Sequence, residues 1–415
     1  MADGPSPAHR CLRGRGLGTI LSPPRLKFLS RNRTGPLQRV IVRGDRIHAV
    51  TSLDAPLPDT VDERISAHGG FAIPGLVDHH VHLVPGQAAT LERVARGGVT
   101  MVNAMAGDAR VAGEYARQVI TRELAGPEIA YASVVAGPGF FVDPRFIGAG
   151  VGFTPGTAPW AQAITDSTDL VRAVARARGS GAELLKLYAM LDSTLAARLT
   201  TEAHAQGMRV IAHGTVFPAR PLQLVQAGVD VLTHVPYLSW EGATTVRAED
   251  AFERINGPYA AVPSDGAVID ALVSAMRAAG TVLEPTLTVF VDRDAPALMA
   301  NWSRELTQRA HAAGVPILAG TDQLAGRDTA ALPSIHDELA HLVQAGLSPA
   351  AALASATVVP ARVMGRAATH GVLAPGYVAD LVLLGADPLA DIAATRSIRQ
   401  VVLRGRVLAT DSGAR

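Results

Sequence analysis

Between residues 76 and 322 short apolar runs alternate with stretches whose apolar positions recur at helical spacing. The runs fall at 76–82, 99–105, 128–135, 183–189, 208–213, 229–234, 281–287 and 315–322, and helical patterns fill intervals such as 108–124, 195–205, 267–279 and 302–313. Strands separated by helices predict βα units and a parallel sheet. Eight such repeats predict a (β/α)8 TIM barrel, whose active site lies at the C-terminal ends of the strands. Two connections, 137–160 after strand three and 236–265 after strand six, are long enough to act as lids or pocket walls.

The flanks carry a different pattern. Arg39–Arg43, a Gly44-Asp45 turn and Arg46–Val50 predict a β-hairpin, short strands follow at 62–73, and 379–384 and 400–408 are strand-like between glycine-rich turns. A small β-sandwich domain built from both termini is therefore expected over 36–73 and 366–412, around a barrel over 74–365. Residues 1–35 are read as a loosely attached basic leader. Residues 1–46 hold ten basic side chains against Asp3 and Asp45, which leaves 28 basic and 35 acidic residues beyond them. The net +1 of the chain thus hides an acidic body, which gives no reason to expect nucleic acid.

Composition narrows the class further. With 48% hydrophobic and 18% charged residues the chain reads as an ordinary globular protein. No apolar run reaches the roughly 18 residues of a membrane span. Cys11 is the single cysteine, which rules out an internal disulfide and thiolate zinc clusters and fits a reducing, cytoplasmic setting. There is no Gly-x-Ser-x-Gly elbow and no His-Glu-x-x-His helix, so acyl-serine and zincin chemistries lack support. The run Gly148 to Gly152 lacks the strand-to-helix context of a dinucleotide site.

The chemistry concentrates at the predicted strand ends. In a regular strand Asp78, His80 and His82 share one face, and His79 takes the other. Alone, the His80-Val81-His82 pair fits a metal site or the polar end of a buried strand equally well. His213 at the end of strand five, His234 at the end of strand six and Asp322 at the end of strand eight shift the balance toward metal. Lys186 is one of two lysines among 38 basic residues and sits in the apolar run Leu184-Leu185-Lys186-Leu187-Tyr188. Arginine stays protonated, whereas a buried lysine readily loses its proton, and a neutral amine can add carbon dioxide to form a carbamate that bridges two ions. The other reading pairs Lys186 with a buried carboxylate such as Glu284. Tyr188 shares the inward face with Lys186, in reach of a substrate.

His80-x-His82, Lys186, His213, His234 and Asp322, preceded by Pro74-Gly75-Leu76-Val77-Asp78, resemble the amidohydrolase superfamily of metal-dependent hydrolases. The late Leu373-Ala374-Pro375-Gly376-Tyr377-Val378-Ala379-Asp380-Leu381-Val382 stretch is similar to the family's closing pattern. The strand-four lysine and strand-eight Gly320-Thr321-Asp322 resemble the imidazolonepropionase-related branch with prolidase-type dipeptidases and N-acyl amino acid hydrolases. The resemblance implies two divalent ions, taken as zinc. His80, His82 and Asp322 would hold one, His213 and His234 the other, and N6-carboxylated Lys186 would bridge them. It further implies a shared hydroxide as nucleophile on an amide or other C–N bond of a small substrate, with Asp322 as proton shuttle and Asp78 orienting His80; Tyr188, read from its inward face, either donates a hydrogen bond to substrate or serves packing.

The sequence departs from that branch at Thr215, where a second strand-five histidine often stands, and at Val235-Pro236 after His234. Arg145, Arg220, Arg293 and Arg327 lie in or near strand-end loops as candidates to clamp a substrate carboxylate. The rival readings are a cyclic-amide hydrolase or mononuclear deaminase on the same scaffold, and a non-catalytic assembly protein that keeps a hydrolase fold. A homo-oligomer is compatible with all of them.

Overall fold

The computed structural model describes residues 18–22, 25–26, 38–56, 61–144, 150–291, 296–324 and 332–408. Seven parallel strands run Leu76–Val81, Val99–Ala104, Glu128–Ala136, Leu184–Leu187, Arg209–His213, Val231–Thr233 and Val282–Glu284, each paired with the next. The eighth stretch, 315–322, forms an isolated bridge at Ile317 where a full strand was expected. Pro316 removes one ladder donor, and single bonds hold the segment on both sides. Leu318 N donates to Leu283 O at 2.9 Å, His79 N to Ala319 O at 3.2 Å and Asp322 N to His80 O at 2.8 Å. The barrel is closed by these contacts.

Several of the helices that cover the barrel start on designed caps. Asp108, Asp169 and Asp192 accept N–H bonds from Arg110, Arg172 and Leu195, satisfying donors that a helix start leaves open. No helix of the described residues is long and apolar enough to cross a membrane.

Two further sheets form the small β-sandwich. One orders as Arg46–Ser52, Gln38–Arg43, Gly18–Ser22, Val61–Ser66, and the other as Arg406–Val407, Ile398–Leu403, Leu381–Leu384, Phe71–Pro74, Arg25–Leu26. Strict alternation gives the second sheet two apolar faces. Ala72, Leu381, Leu383 and Val402 pack with Val40, Val42 and Ile47 inside the sandwich, while Ile73, Val382, Leu384 and Val401 join the barrel core. Residues 1–35 do not all behave as a loose leader. The backbone of Gly18–Ser22 pairs with strands on both sides, and that of Arg25–Leu26 adds to Phe71–Pro74, which occupies N–H and C=O groups that a sheet edge would otherwise leave open. The remainder of 1–35 lies outside the described residues.

Gly75 carries the chain from the sandwich into barrel strand one. Its N–H donates to Asp380 O at 2.9 Å, and a Cβ there would meet Thr100 Oγ1 at 2.1 Å and Thr100 Cβ at 2.7 Å. Gly179, at the end of a helix, has open space around the same position. Gly75→Ala is expected to cost about 1–3 kcal/mol through overpacking and to lower the thermal midpoint, whereas Gly179→Ala is expected to leave it unchanged or raise it. Differential scanning calorimetry of the two variants checks the contrast.

Candidate metal centre

Leu184, Ile211, Val282 and Leu318 form part of a buried layer inside the barrel. Side chains on one strand face recur every second residue, so the next layer toward the C-terminal ends holds Lys186, His213, Glu284 and Gly320. Gly320 is bare for a reason. A Cβ there would stand 2.7 Å from both Glu284 Oε1 and His80 Cβ, so the missing side chain makes the room that Glu284 occupies.

Glu284 is fully buried and binds two histidines that are adjacent in sequence. Its Oε1 accepts from His79 Nδ1 at 2.7 Å and its Oε2 from His80 Nδ1 at 2.8 Å. Simple alternation put His79 on the opposite face. The pairing of strand one with strand two shifts between Asp78 and Val81, and such an irregularity lets neighbouring residues turn to one side. Asn103 Nδ2 donates to His79 Nε2 at 3.4 Å. Two other readings change with this. Lys186 does not take Glu284 as a salt-bridge partner. Asp78 acts on backbone, accepting from His80 N at 3.2 Å, Thr321 N at 3.1 Å and Thr321 Oγ1 at 2.7 Å, so it ties strand one to strand eight and leaves the His80 ring to Glu284. Burial pushes the Asp78 carboxyl well above its usual range.

Hydroxyls hold two other imidazoles, those of His234 and His213. His234 Nδ1 lies 2.8 Å from Thr286 Oγ1, whose own proton goes to Pro285 O at 2.7 Å. Nδ1 must therefore be the donor, which leaves the lone pair on His234 Nε2. His213 Nδ1 contacts Thr215 Oγ1 at 2.7 Å, so the residue that departs from the related branch holds the ring that precedes it. His234, Thr286 and Asp322 adopt left-handed backbone with φ of 68°, 53° and 57°. For a β-branched residue such as Thr286 this conformation is costly, and strain of this kind concentrates at functional sites.

The structure brings His80, His82, Lys186, Tyr188, His213, His234 and Asp322 into one chain of contacts. Ligand atoms of His80, His82 and Asp322 lie within 4.8 Å of one another, with His82 Nε2 2.8 Å and His80 Nε2 3.6 Å from Asp322 Oδ1. Lys186 Nζ stands 3.2 Å from His80 Nε2. The ring of His234 is 4.8 Å from His80 and 4.5 Å from His213. Tyr188 packs its ring 4.8 Å from His213 and 4.7 Å from Phe140.

Electrostatics favour cation binding here. Burial keeps His80 neutral and pushes His234 down to about 3, with the Lys186 charge adding to both. Burial also pushes Lys186 down to about 8, so its amine is neutral far more often than a surface lysine's. Burial alone would raise the Asp322 carboxyl, yet the His82 hydrogen bond and the neighbouring positive charges hold it well below the usual range. The neutral rings of His80 and His234, with Nδ1 committed outward, and an ionised carboxylate are the donor chemistry that a divalent ion requires.

Sequence reading missed Glu284 as a partner of histidine, and it missed Thr286 and Arg254. The signal for Glu284 was present, since an acid inside Val282-Leu283-Glu284 is almost never buried without a partner. Arg254 follows a short helical turn, Ala248–Phe252, with nothing in its spacing to mark it. Of the arginines proposed as clamps, Arg220 spends its guanidinium on the carbonyls of Glu241 and Ala243 at 2.9 and 2.7 Å. Arg145, Arg293 and Arg327 lie outside the described residues.

Comparison with known proteins agrees with this geometry. No curated protein matches the chain. Among solved structures it is similar to a Xaa-Pro dipeptidase with methionine bound in the active site, at 18% identity over 95% of this chain and 100% of that one, with a TM-score of 0.73. It is also similar to a prolidase complexed with N-methylphosphonate-L-proline, at 20% identity over 94% and 99% with a TM-score of 0.71. The A. niger ochratoxinase aligns at 19% identity over 94% and 95% with a TM-score of 0.70. At these identities the likeness establishes the fold. Residues 71–408 match the amidohydrolase family, and the chain belongs to that family of metal-binding enzymes acting on carbon–nitrogen bonds.

Proposed function

We propose that the protein is a binuclear metal hydrolase that cleaves an amide bond in a dipeptide or N-acyl amino acid. In this reading His80, His82 and Asp322 would hold one ion, His213 and His234 would hold the second, and Lys186 as its N6-carboxylate would serve both. The observation that carries it is Lys186 itself, fully buried with Nζ 3.2 Å from His80 Nε2 and an amine pushed down to about 8. The dipeptidase and the prolidase among the similar structures support an amino acid as the leaving group.

Two divalent ions, when bound, lower the pKa of water and polarise a carbonyl. The chain's own residues do the rest. Glu284, Thr215 and Thr286 fix the imidazole orientations through Nδ1. Asp322 Oδ1 is held by His82, so Oδ2 carries the proton, taking it from the attacking water and returning it to the departing amine. Tyr188 borders the substrate from beside His213.

Zinc-loaded protein is expected to contain two ions per chain by elemental analysis and to hydrolyse members of a panel of dipeptides and N-acyl amino acids. Lys186→Met is expected to hold one ion at most and to lose activity. One ion per chain with Lys186 unmodified in a crystal structure overturns the binuclear reading. Asp322→Asn is expected to lower kcat by about 10²- to 10⁴-fold, and wild-type turnover in that variant refutes the proton role. Glu284→Gln, which weakens the hold on His80, is expected to lower metal affinity about 10- to 100-fold by competitive chelator titration, with its fold retained by circular dichroism.

A further inference from the structure

The connection after strand six carries one arginine into the ring of aromatic side chains around the metal centre. Trp240 Nε1 donates to Arg254 O at 3.0 Å, and Arg254 Nη1 donates to Ala251 O at 3.1 Å. Backbone and guanidinium are each anchored within the loop. The guanidinium carbon lies 5.6 Å from the Tyr188 ring and 5.8 Å from the Tyr237 ring, with Nη2 3.4 Å from Tyr188 Oη. Those same two rings flank His213 at 4.8 and 5.3 Å. Arg254 is thus one aromatic layer from the imidazoles, and it is half-buried where Lys186 is fully buried.

A guanidinium at such a place has a specific use. It stays charged at every working pH, its planar fork of N–H groups matches a carboxylate, and packing over aromatic rings pre-organises it. In an N-acyl amino acid or dipeptide the carboxylate carbon is three bonds from the carbonyl carbon under attack, a reach of roughly 3–4 Å. The Tyr188 ring, 5.6 Å from the guanidinium and 4.8 Å from His213, puts the carboxylate end of such a substrate on the Arg254 side and its amide on the imidazole side.

We propose that Arg254 recognises the substrate's α-carboxylate. The substrate then lies with its carboxylate against Arg254 and the edges of Tyr188 and Tyr237, and its scissile amide toward His80 and Asp322. A free carboxylate adjacent to the leaving nitrogen becomes a requirement of the site, which separates N-acyl amino acids and dipeptides from simple amides and from substrates blocked at the C-terminus. This assignment rests on the amide-hydrolase reading above and adds the group that selects the substrate.

The test uses stable ligands so that recognition is measured apart from turnover. L-Methionine, L-phenylalanine and L-proline, together with their primary amides, are titrated calorimetrically into zinc-loaded wild type, Arg254→Met and Arg254→Lys. Wild type is expected to bind at least one amino acid more tightly than its amide by about 10-fold or more. Arg254→Met is expected to weaken amino acid binding by about 10- to 100-fold and leave amide binding unchanged, with Arg254→Lys in between. Thermal midpoints of the variants within a few degrees of wild type exclude misfolding. If wild type does not discriminate the acids from the amides, or if Arg254→Met keeps the discrimination, the assignment is overturned. Hydrolysis of the N-acetyl derivatives of the same amino acids is scored separately. Carboxylate-dependent binding that Arg254→Met abolishes, without hydrolysis in wild type, sinks the amide-hydrolase reading and leaves the carboxylate site standing.

Discussion

One carboxylate sets the geometry of the centre. Glu284 is buried without access to water, and a bare charge in that position would cost several kcal/mol. It is tolerated because two imidazole N–H groups, from His79 and His80, meet its two oxygens at 2.7 and 2.8 Å. The same bonds decide which nitrogen of His80 points at Lys186 and Asp322. Gly320 must be small for Glu284 to fit, and strand one must deviate from regular pairing for His79 and His80 to reach it together. Local irregularity, a missing side chain and a buried acid are three parts of one solution.

The outer members of the site follow the same logic with weaker means. Thr215 and Thr286 use hydroxyls to hold the rings of His213 and His234, as Glu284 holds those of His79 and His80. Asp322 and His234 reach inward from left-handed backbone at the ends of strands eight and six. The barrel supplies the scaffold, and these left-handed residues sit at its rim.

Much of this was legible from the sequence. Seven of the eight apolar runs and the hairpin around Gly44 and Asp45 follow from period and turn chemistry, and the structure forms strands there, with His80, His213 and His234 at or just past strand ends. What escaped was whatever depends on a break in the period. His79 was set aside by strict alternation, and a register shift restored it as the partner of Glu284. The eighth strand was expected in full, and Pro316 reduced it to single bonds. Arg254 could not be found by spacing, because a loop places its residues by tertiary contacts such as the Trp240 bond to its carbonyl. Thr286 carries no signal at all, since its left-handed backbone runs against the preference of a β-branched residue.

The five-stranded sheet joins parts of the chain that are made far apart in time. Phe71–Pro74, which leads directly into barrel strand one, pairs with Leu381–Leu384, and that strand pairs in turn with Ile398–Leu403. During synthesis the ribosome releases His80 and His82 some three hundred residues before the strands that anchor their own strand's root. The strand that carries those histidines is therefore rooted by a part of the chain made last, and its fixed start depends on the C-terminal strands being present.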